Sequence, residues 1–155
     1  MTSLSSSLED YLETILEIGQ KTDKVRVTDI GLALKVEKSS VNYAINKLKN
    51  LNLVLHENYE DITLTSQGLA KAKQVKNRHV ILYHFLNTFL GISPNEAEKD
   101  ACKIEHAVSC NTIEKLSKFI EFLEKSPNFN NEKWLKSFSE YIEKGDSVLS
   151  NMKVH

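Results

Sequence analysis

Cysteine is scarce in this chain: Cys102 and Cys110 are the two in 155 residues. That is too few for a disulfide framework, and an iron–sulfur cluster would call for four thiolates. On a helical pattern the two sit at i and i+8, about 12 Å apart along the axis, so they are expected as separate thiols. Also missing is any apolar run approaching the roughly 20 residues that span a bilayer. The opening "MTSLSSSLEDYLE" has no basic segment followed by an apolar core, so no membrane association and a cytoplasmic location are expected. There is no phosphate-binding glycine loop, no flavin-type site and no nucleophile with a positioned base, which leaves an enzyme reading without support. Internal repeats and low-complexity linkers are absent too. Nor does one sign of charge dominate: 20 Lys and Arg face 21 Asp and Glu, for a net charge of −1.

What is present is patterned. At 41% hydrophobic residues the chain can build one ordinary core or two small modules. Residues 1–61 hold ten acids and seven bases, yet after Asp61 no acid occurs before Glu96, while Lys71, Lys73, Lys76 and Arg78 do. A second basic excess covers 35–50, where Lys35, Lys38, Lys47 and Lys49 face Glu37 alone.

Helical spacing of Leu8, Tyr11, Leu12, Ile15 and Leu16 predicts a first helix of three turns, capped by Ser6 or Ser7 and closed by Gly19. Glu9, Asp10, Glu13 and Glu17 fall on its polar side. In "VRVTDIGLALKVEKSSVNYAINKLKNLNLV", Thr28 suits the N-cap of a short helix over 29–35 that buries Ile30, Leu32, Ala33 and Leu34. After Val36, Ser39 or Ser40 caps a second helix with Val41, Ala44, Ile45, Leu48 and Leu51 inward. Two short helices joined by a tight turn form a helix-turn-helix, whose second helix enters the DNA major groove. Its outward residues Ser39, Ser40, Asn42, Tyr43, Asn46 and Lys47 offer hydrogen bonds and one cation, suited to base edges and phosphates. In "LVLHENYEDITLT", Leu53–Leu55 and Ile62–Thr65 read as strands around the turn Glu57–Asp61. A helix-turn-helix followed at once by such a hairpin is a winged helix.

The remainder reads as all helical. "TSQG" caps a helix from Gln67 to Leu90 with Leu69, Val75, Val80, Leu82, Phe85, Leu86 and Phe89 inward, closed by Gly91. Pro94 opens another over 94–107. A third runs from Thr112 to Lys125, "SPNFNN" breaks the pattern, and residues 132–144 form a last amphipathic helix before a frayed tail. The apolar surplus of this half suits a second copy of the chain. A symmetric dimer also suits a palindromic duplex, whose half-sites lie about 34–36 Å apart.

Within "KDACKIEHAV", Cys102, Glu105 and His106 stand at i, i+3 and i+4 and share one helical face. Asp10 and Glu13 share another face, and His79 lies on the long helix. Each taken singly has an ordinary structural explanation: helix-dipole carboxylates, a half-buried histidine, a small buried thiol. A Cys, Glu and His converging on one face would nonetheless be costly to bury unpaired. One thiolate with several carboxylates and two imidazoles is too poor in sulfur for a structural zinc site. It suits Mn(II) or Fe(II) at higher coordination number, with other divalent transition metals able to bind in vitro. Cys102 favours iron; Asp10 and Glu13 favour manganese.

Five segments together resemble the diphtheria toxin repressor and manganese transport regulator family of metal-dependent bacterial transcription regulators. They are "SLEDYLETILEI", the helix-turn-helix stretch above, "LTSQG", "NRHVIL" and "DACKIEHAVS". The resemblance implies a mainly α protein, with an N-terminal winged helix-turn-helix domain (1–73) and an all-helical metal-binding and dimerisation domain (74–155). By position, Asp10, Cys102, Glu105 and His106 fall on family metal ligands, His79 on a ligand of a neighbouring site, and Glu13 on one used by manganese-type members. Thr28, Ser39, Ser40, Asn42, Tyr43 and Lys47 are the expected DNA contacts. Asp10 stands where iron-type members carry methionine, and Cys102 where a manganese-type pattern has glutamate. Tyr83 and Glu98 replace the Glu and His of the iron-type ancillary site. The SH3-like third domain of longer members is not expected. The implied function is a homodimeric repressor, with Mn(II) or Fe(II) as corepressor, on palindromic double-stranded DNA controlling metal-uptake genes. Its rivals are a metal-independent winged-helix regulator of another effector and a small metalloenzyme.

Overall fold

The computed structural model describes residues 4–56, 61–127 and 129–143. The elements run α1 (Ser6–Lys21), α2 (Val27–Leu34), α3 (Lys38–Asn50), β1 (Val54–Leu55), β2 (Thr63–Leu64) and α4 (Ser66–His84). A π-helical segment (Phe85–Phe89) follows, then α5 (Pro94–Ile104), α6 (Cys110–Lys125) and α7 (Asn131–Glu143). The chain divides after His79 into two compact units. Among the described residues no helix is long and apolar enough to cross a membrane.

The first unit gathers around Leu12, Ile30, Val41, Ile45, Leu48, Val54 and Ile62, each at most 1% exposed. Burying such a side chain is worth about 1.5–3 kcal/mol, so α1, α2, α3 and the hairpin fold on one another. Helix α1 does not stop at Gly19. It continues to Lys21, where the Thr22 amide and hydroxyl both donate to the Ile18 carbonyl, at 2.9 and 3.1 Å. Its N-cap is Ser5, whose side chain makes no capping bond, rather than Ser6 or Ser7.

Helix α2 also starts earlier than Thr28 predicts. Its N-cap is Arg26, because Asp29, one turn in, accepts from the Arg26 amide at 3.2 Å and does the capping in reverse. Thr28 sits exposed in the first turn, and Leu32 (78% exposed) and Ala33 face outward. Eight residues supply one inward stripe, carried by Ile30 and Leu34. Lys35, at φ 56°, ends the helix in the left-handed region.

Helix α3 begins at Lys38 with Glu37 as N-cap, so Ser39 and Ser40 lie inside its first turn rather than capping it. Val41, Ala44, Ile45 and Leu48 point inward as the spacing predicts, whereas Leu51 lies beyond the helix end and is 47% exposed. Strands β1 and β2 pair antiparallel, Val54 opposite Leu64 and Leu55 opposite Thr63. The predicted turn between them lies, over 57–60, outside the described residues. The Thr65 hydroxyl donates to the Asn52 carbonyl at 2.8 Å and accepts from the Gly68 amide at 3.0 Å, capping α4 against the sheet. Here glycine is required: a Cβ on Gly68 would stand 1.8 Å from the Leu53 carbonyl oxygen.

The second unit has a smaller core of Leu82, Ala101 and Ile113, with Tyr83, Leu86, Ile104 and Leu116 packed on it. The long helix predicted to reach Leu90 changes character at Phe85. Over Phe85–Phe89 it widens, with the Leu90 amide donating to the Phe85 carbonyl five residues back at 3.3 Å. Phe89 stacks on Phe85 and Phe129, and the Trp134 indole donates to the Phe89 carbonyl at 3.0 Å, pinning α7 to the widened turn. Gly91, at φ 68°, closes the segment as predicted. Val80, expected inward, is 52% exposed. Helix α5 ends at Ile104 rather than 107, and α6 starts at Cys110 because the Ser109 hydroxyl caps the Thr112 amide at 3.2 Å. The predicted frayed tail lies outside the described residues.

Candidate functional site

In the first unit α1 and α4 carry the acidic and imidazole candidates. Asp10 and Glu13 are half-buried on α1, and His79 is half-buried on α4. A carboxylate oxygen of Glu13 and a ring nitrogen of His79 lie within 4.8 Å, close enough to serve one cation. Burial, and then the neighbouring Asp10 charge, raise the Tyr11 phenol above its usual pKa. Glu9 departs from the expected polar side: it is 8% exposed, and Arg78 Nη2 donates to its Oε2 at 2.6 Å. Sequence reading passed over this pair; the available signal was an acid and a base each adjacent to a candidate ligand, Asp10 and His79.

In the second unit the three chemical groups of "KDACKIEHAV" are carried differently from a continuous helix. Cys102 is exposed in the last turn of α5, Glu105 is its C-cap, and His106 stands in the turn that follows. The Glu105 amide still donates to the Ala101 carbonyl at 2.9 Å, so the helical rise persists just far enough to bring Cys102 Sγ within 4.8 Å of a Glu105 oxygen. His106 Nε2 lies 3.3 Å from Glu105 Oε1. Glu105 is fully buried at 0% exposure. A carboxylate in that position is costly unless cationic or hydrogen-bonding partners compensate it. In each unit the donor chemistry fits a divalent cation: carboxylates with an imidazole in the first, and a carboxylate, an imidazole and a thiol in the second. Tyr83 packs against the second core.

The DNA-facing candidates on α3 are all exposed: Ser39, Ser40, Asn42, Tyr43, Asn46 and Lys47. Lys47 Nζ sits 4.7 Å from the centre of the Tyr43 ring, one turn back along α3. A groove of about 500 Å³ lies between Ser39, Ser40, Tyr43 and Lys47 and the first turns of α1 at Ser7 and Tyr11. Lys49 is engaged elsewhere, donating to the His56 carbonyl at 2.8 Å and tying α3 to the start of the wing.

Residues 3–62 match the N-terminal DNA-binding domain of iron-dependent repressors, and residues 65–132 match the metal-binding and dimerisation domain of the same family. An HTH-type transcriptional regulator of Methanocaldococcus jannaschii is 38% identical over 76% of this chain and 95% of its own length. The HTH-type transcriptional regulator MntR of Listeria monocytogenes is 33% identical over 79% of this chain and 85% of its own. Among solved structures, the manganese regulator SloR superposes with a TM-score of 0.68 at 29% identity, over 79% of this chain and 55% of that one. A manganese-dependent transcriptional repressor in complex with manganese gives 0.69 at 30% identity, over 74% and 53%. The chain thus spans 85–95% of these curated relatives but about half the length of the solved structures.

Proposed function

Because the chain belongs to the iron-dependent repressor family, whose members include manganese regulators, we propose that it is a metal-dependent, DNA-binding transcriptional repressor. In this reading residues 1–73 bind DNA and residues 74–155 bind metal and dimerise. The observation that carries the metal reading is Glu105: a fully buried carboxylate with Cys102 and His106 beside it, in the segment that matches the family's metal-binding domain.

Asp10 and Glu13, in the DNA-binding domain, are one half of a clasp, and His79, Cys102, Glu105 and His106, in the dimerisation domain, are the other. When bound, a divalent ion supplies the positive charge that lets carboxylates of both halves occupy one site. The two domains are thereby restrained, and the α3 helices of a homodimer are held at the spacing of one palindromic operator. On DNA, Asn42 and Tyr43 meet base edges, Thr28, Ser39 and Ser40 meet the backbone, and Lys47 neutralises a phosphate. Mn(II) is the physiological corepressor, favoured by Asp10 and Glu13, with Fe(II) its rival through Cys102. The regulated genes serve uptake of that ion, and the protein works in the cytoplasm.

The test is a gel-shift titration without oxygen, using duplex selected from a random pool in the presence of Mn(II). Mn(II) or Fe(II) should tighten binding at least tenfold relative to excess chelator; equal affinity would remove the metal from the mechanism. Metal analysis of protein purified without oxygen, followed by competition between the two ions, decides between manganese and iron.

A further inference from the structure

The Glu9–Arg78 pair is a buried ion pair of the first unit, and none of the proposed contacts uses it. Its side chains are 10% and 11% exposed, with Nη2 to Oε2 at 2.6 Å. Another link between α1 and α4, Lys76 with Glu17 and Gln20 at 3.3 and 3.2 Å, is markedly more exposed. Burying two charges costs desolvation that attraction often only offsets, so stability alone is a weak reason for such a pair. Its position supplies a stronger one. Glu9 precedes Asp10 directly and lies one turn before Glu13, while Arg78 precedes His79. The bond therefore joins α1 to α4 at the level of the donors each helix carries.

We propose that Glu9 and Arg78 are positioning residues for the metal clasp, an inference that rests on the metal-site reading above. Their bond fixes the rotation of α1 against α4, so that Asp10, Glu13 and His79 are held as ligands before an ion arrives. It also engages a carboxylate that would otherwise compete as a further acidic donor beside Asp10. Hydrogen-bonded groups behind a ligand set are commonly worth 10–100-fold in metal affinity.

The experiment titrates Co(II) into full-length protein without oxygen, reading the visible absorption of bound Co(II) alongside thermal melts of the metal-free form. Arg78→Met is expected to weaken Co(II) binding by roughly 10–100-fold and to change the absorption bands, whereas Arg78→Lys stays within roughly threefold of wild type. Glu9→Gln combined with Arg78→Met should bind no more weakly than Arg78→Met alone, because the two act as one unit. A merely structural pair would lower the melting temperature and leave the affinity and spectrum of the folded protein unchanged, which overturns the proposal. Should Arg78→Met fail to fold, the same comparison is read on Glu9→Gln. Wild-type protein that takes up no Co(II) overturns both the clasp and the pair. Wild-type binding with unchanged variants overturns the pair alone.

Discussion

The two units solve the problem of burial differently. In the first, three helices and a hairpin enclose thirteen buried residues in one cluster, from Tyr11 to Ala72. In the second, the main cluster has three buried members among the described residues, α7 buries none of its residues, and Phe119, Phe122, Tyr141 and Ile142 are 48–70% exposed. A winged helix is complete by itself and can present α3 as a rigid reading head. A dimerisation domain taken as a single copy leaves apolar surface uncovered. The difference teaches that the first unit encloses most of its apolar side chains in its own core, whereas the second leaves large ones on its surface.

The largest effects should come from breaking the first core. Leu12→Ala should cost about 2–5 kcal/mol in denaturant unfolding, since the side chain is fully buried and leaves a cavity. Ile142→Ala, at 60% exposure, should change monomer stability by less than about 0.5 kcal/mol. A large loss from Ile142→Ala in dilute monomer would erase the contrast.

Glu105→Ala or His106→Ala should come next. Each should abolish the response of DNA binding to metal, by roughly 100-fold or more, while far-ultraviolet circular dichroism remains that of the folded protein. Unfolding on either change would make these residues part of the core rather than of a binding site.

Lys47→Ala should act more mildly and only through the first unit. Affinity should fall evenly across DNA sequences, and the slope of log affinity against log salt should drop by about one phosphate contact. Asn42→Ala or Tyr43→Ala should instead shift sequence preference, read by repeating the duplex selection.

The smallest effect belongs to the exposed pairs of α6, Glu114–Lys118 and Glu121–Lys125. Each lysine holds its partner carboxyl below the ordinary 4.5, by hydrogen bonding first and charge second. A lowered carboxyl pKa gives stability that is present above the unfolded value and lost as pH falls through the folded one. Because both groups are fully exposed, Glu114→Gln should leave the melting temperature at pH 7 unchanged within error.

Element order was legible in the sequence because the apolar periodicity of α1 and α3 is strong and the helix-turn-helix is followed directly by its hairpin. Element ends were less so. Thr28, Ser39 and Ser40 all have capping chemistry, yet Asp29 reaching back to Arg26 and the turn at Glu37 set the starts two to three residues earlier. The π-helical widening at Phe85–Phe89 is bonded by Trp134, 45 residues away, and no local pattern announces it. For the candidate site, periodicity placed Cys102 and Glu105 together correctly, while the end of α5 at Ile104 puts His106 in a turn rather than on a helical face. Glu9 was assigned to the polar side because spacing alone does not reveal a cation, Arg78, arriving from another helix.

Coupling between the metal half-sites and the DNA-reading face is the centre of this account, and coupling is reciprocal. The most direct measurement is therefore the Mn(II) dissociation constant of the wild-type protein, without oxygen, in the absence and in the presence of saturating selected duplex. The account predicts that DNA tightens Mn(II) binding by the same factor, at least about tenfold, by which Mn(II) tightens DNA binding. An unchanged Mn(II) affinity on DNA would contradict it.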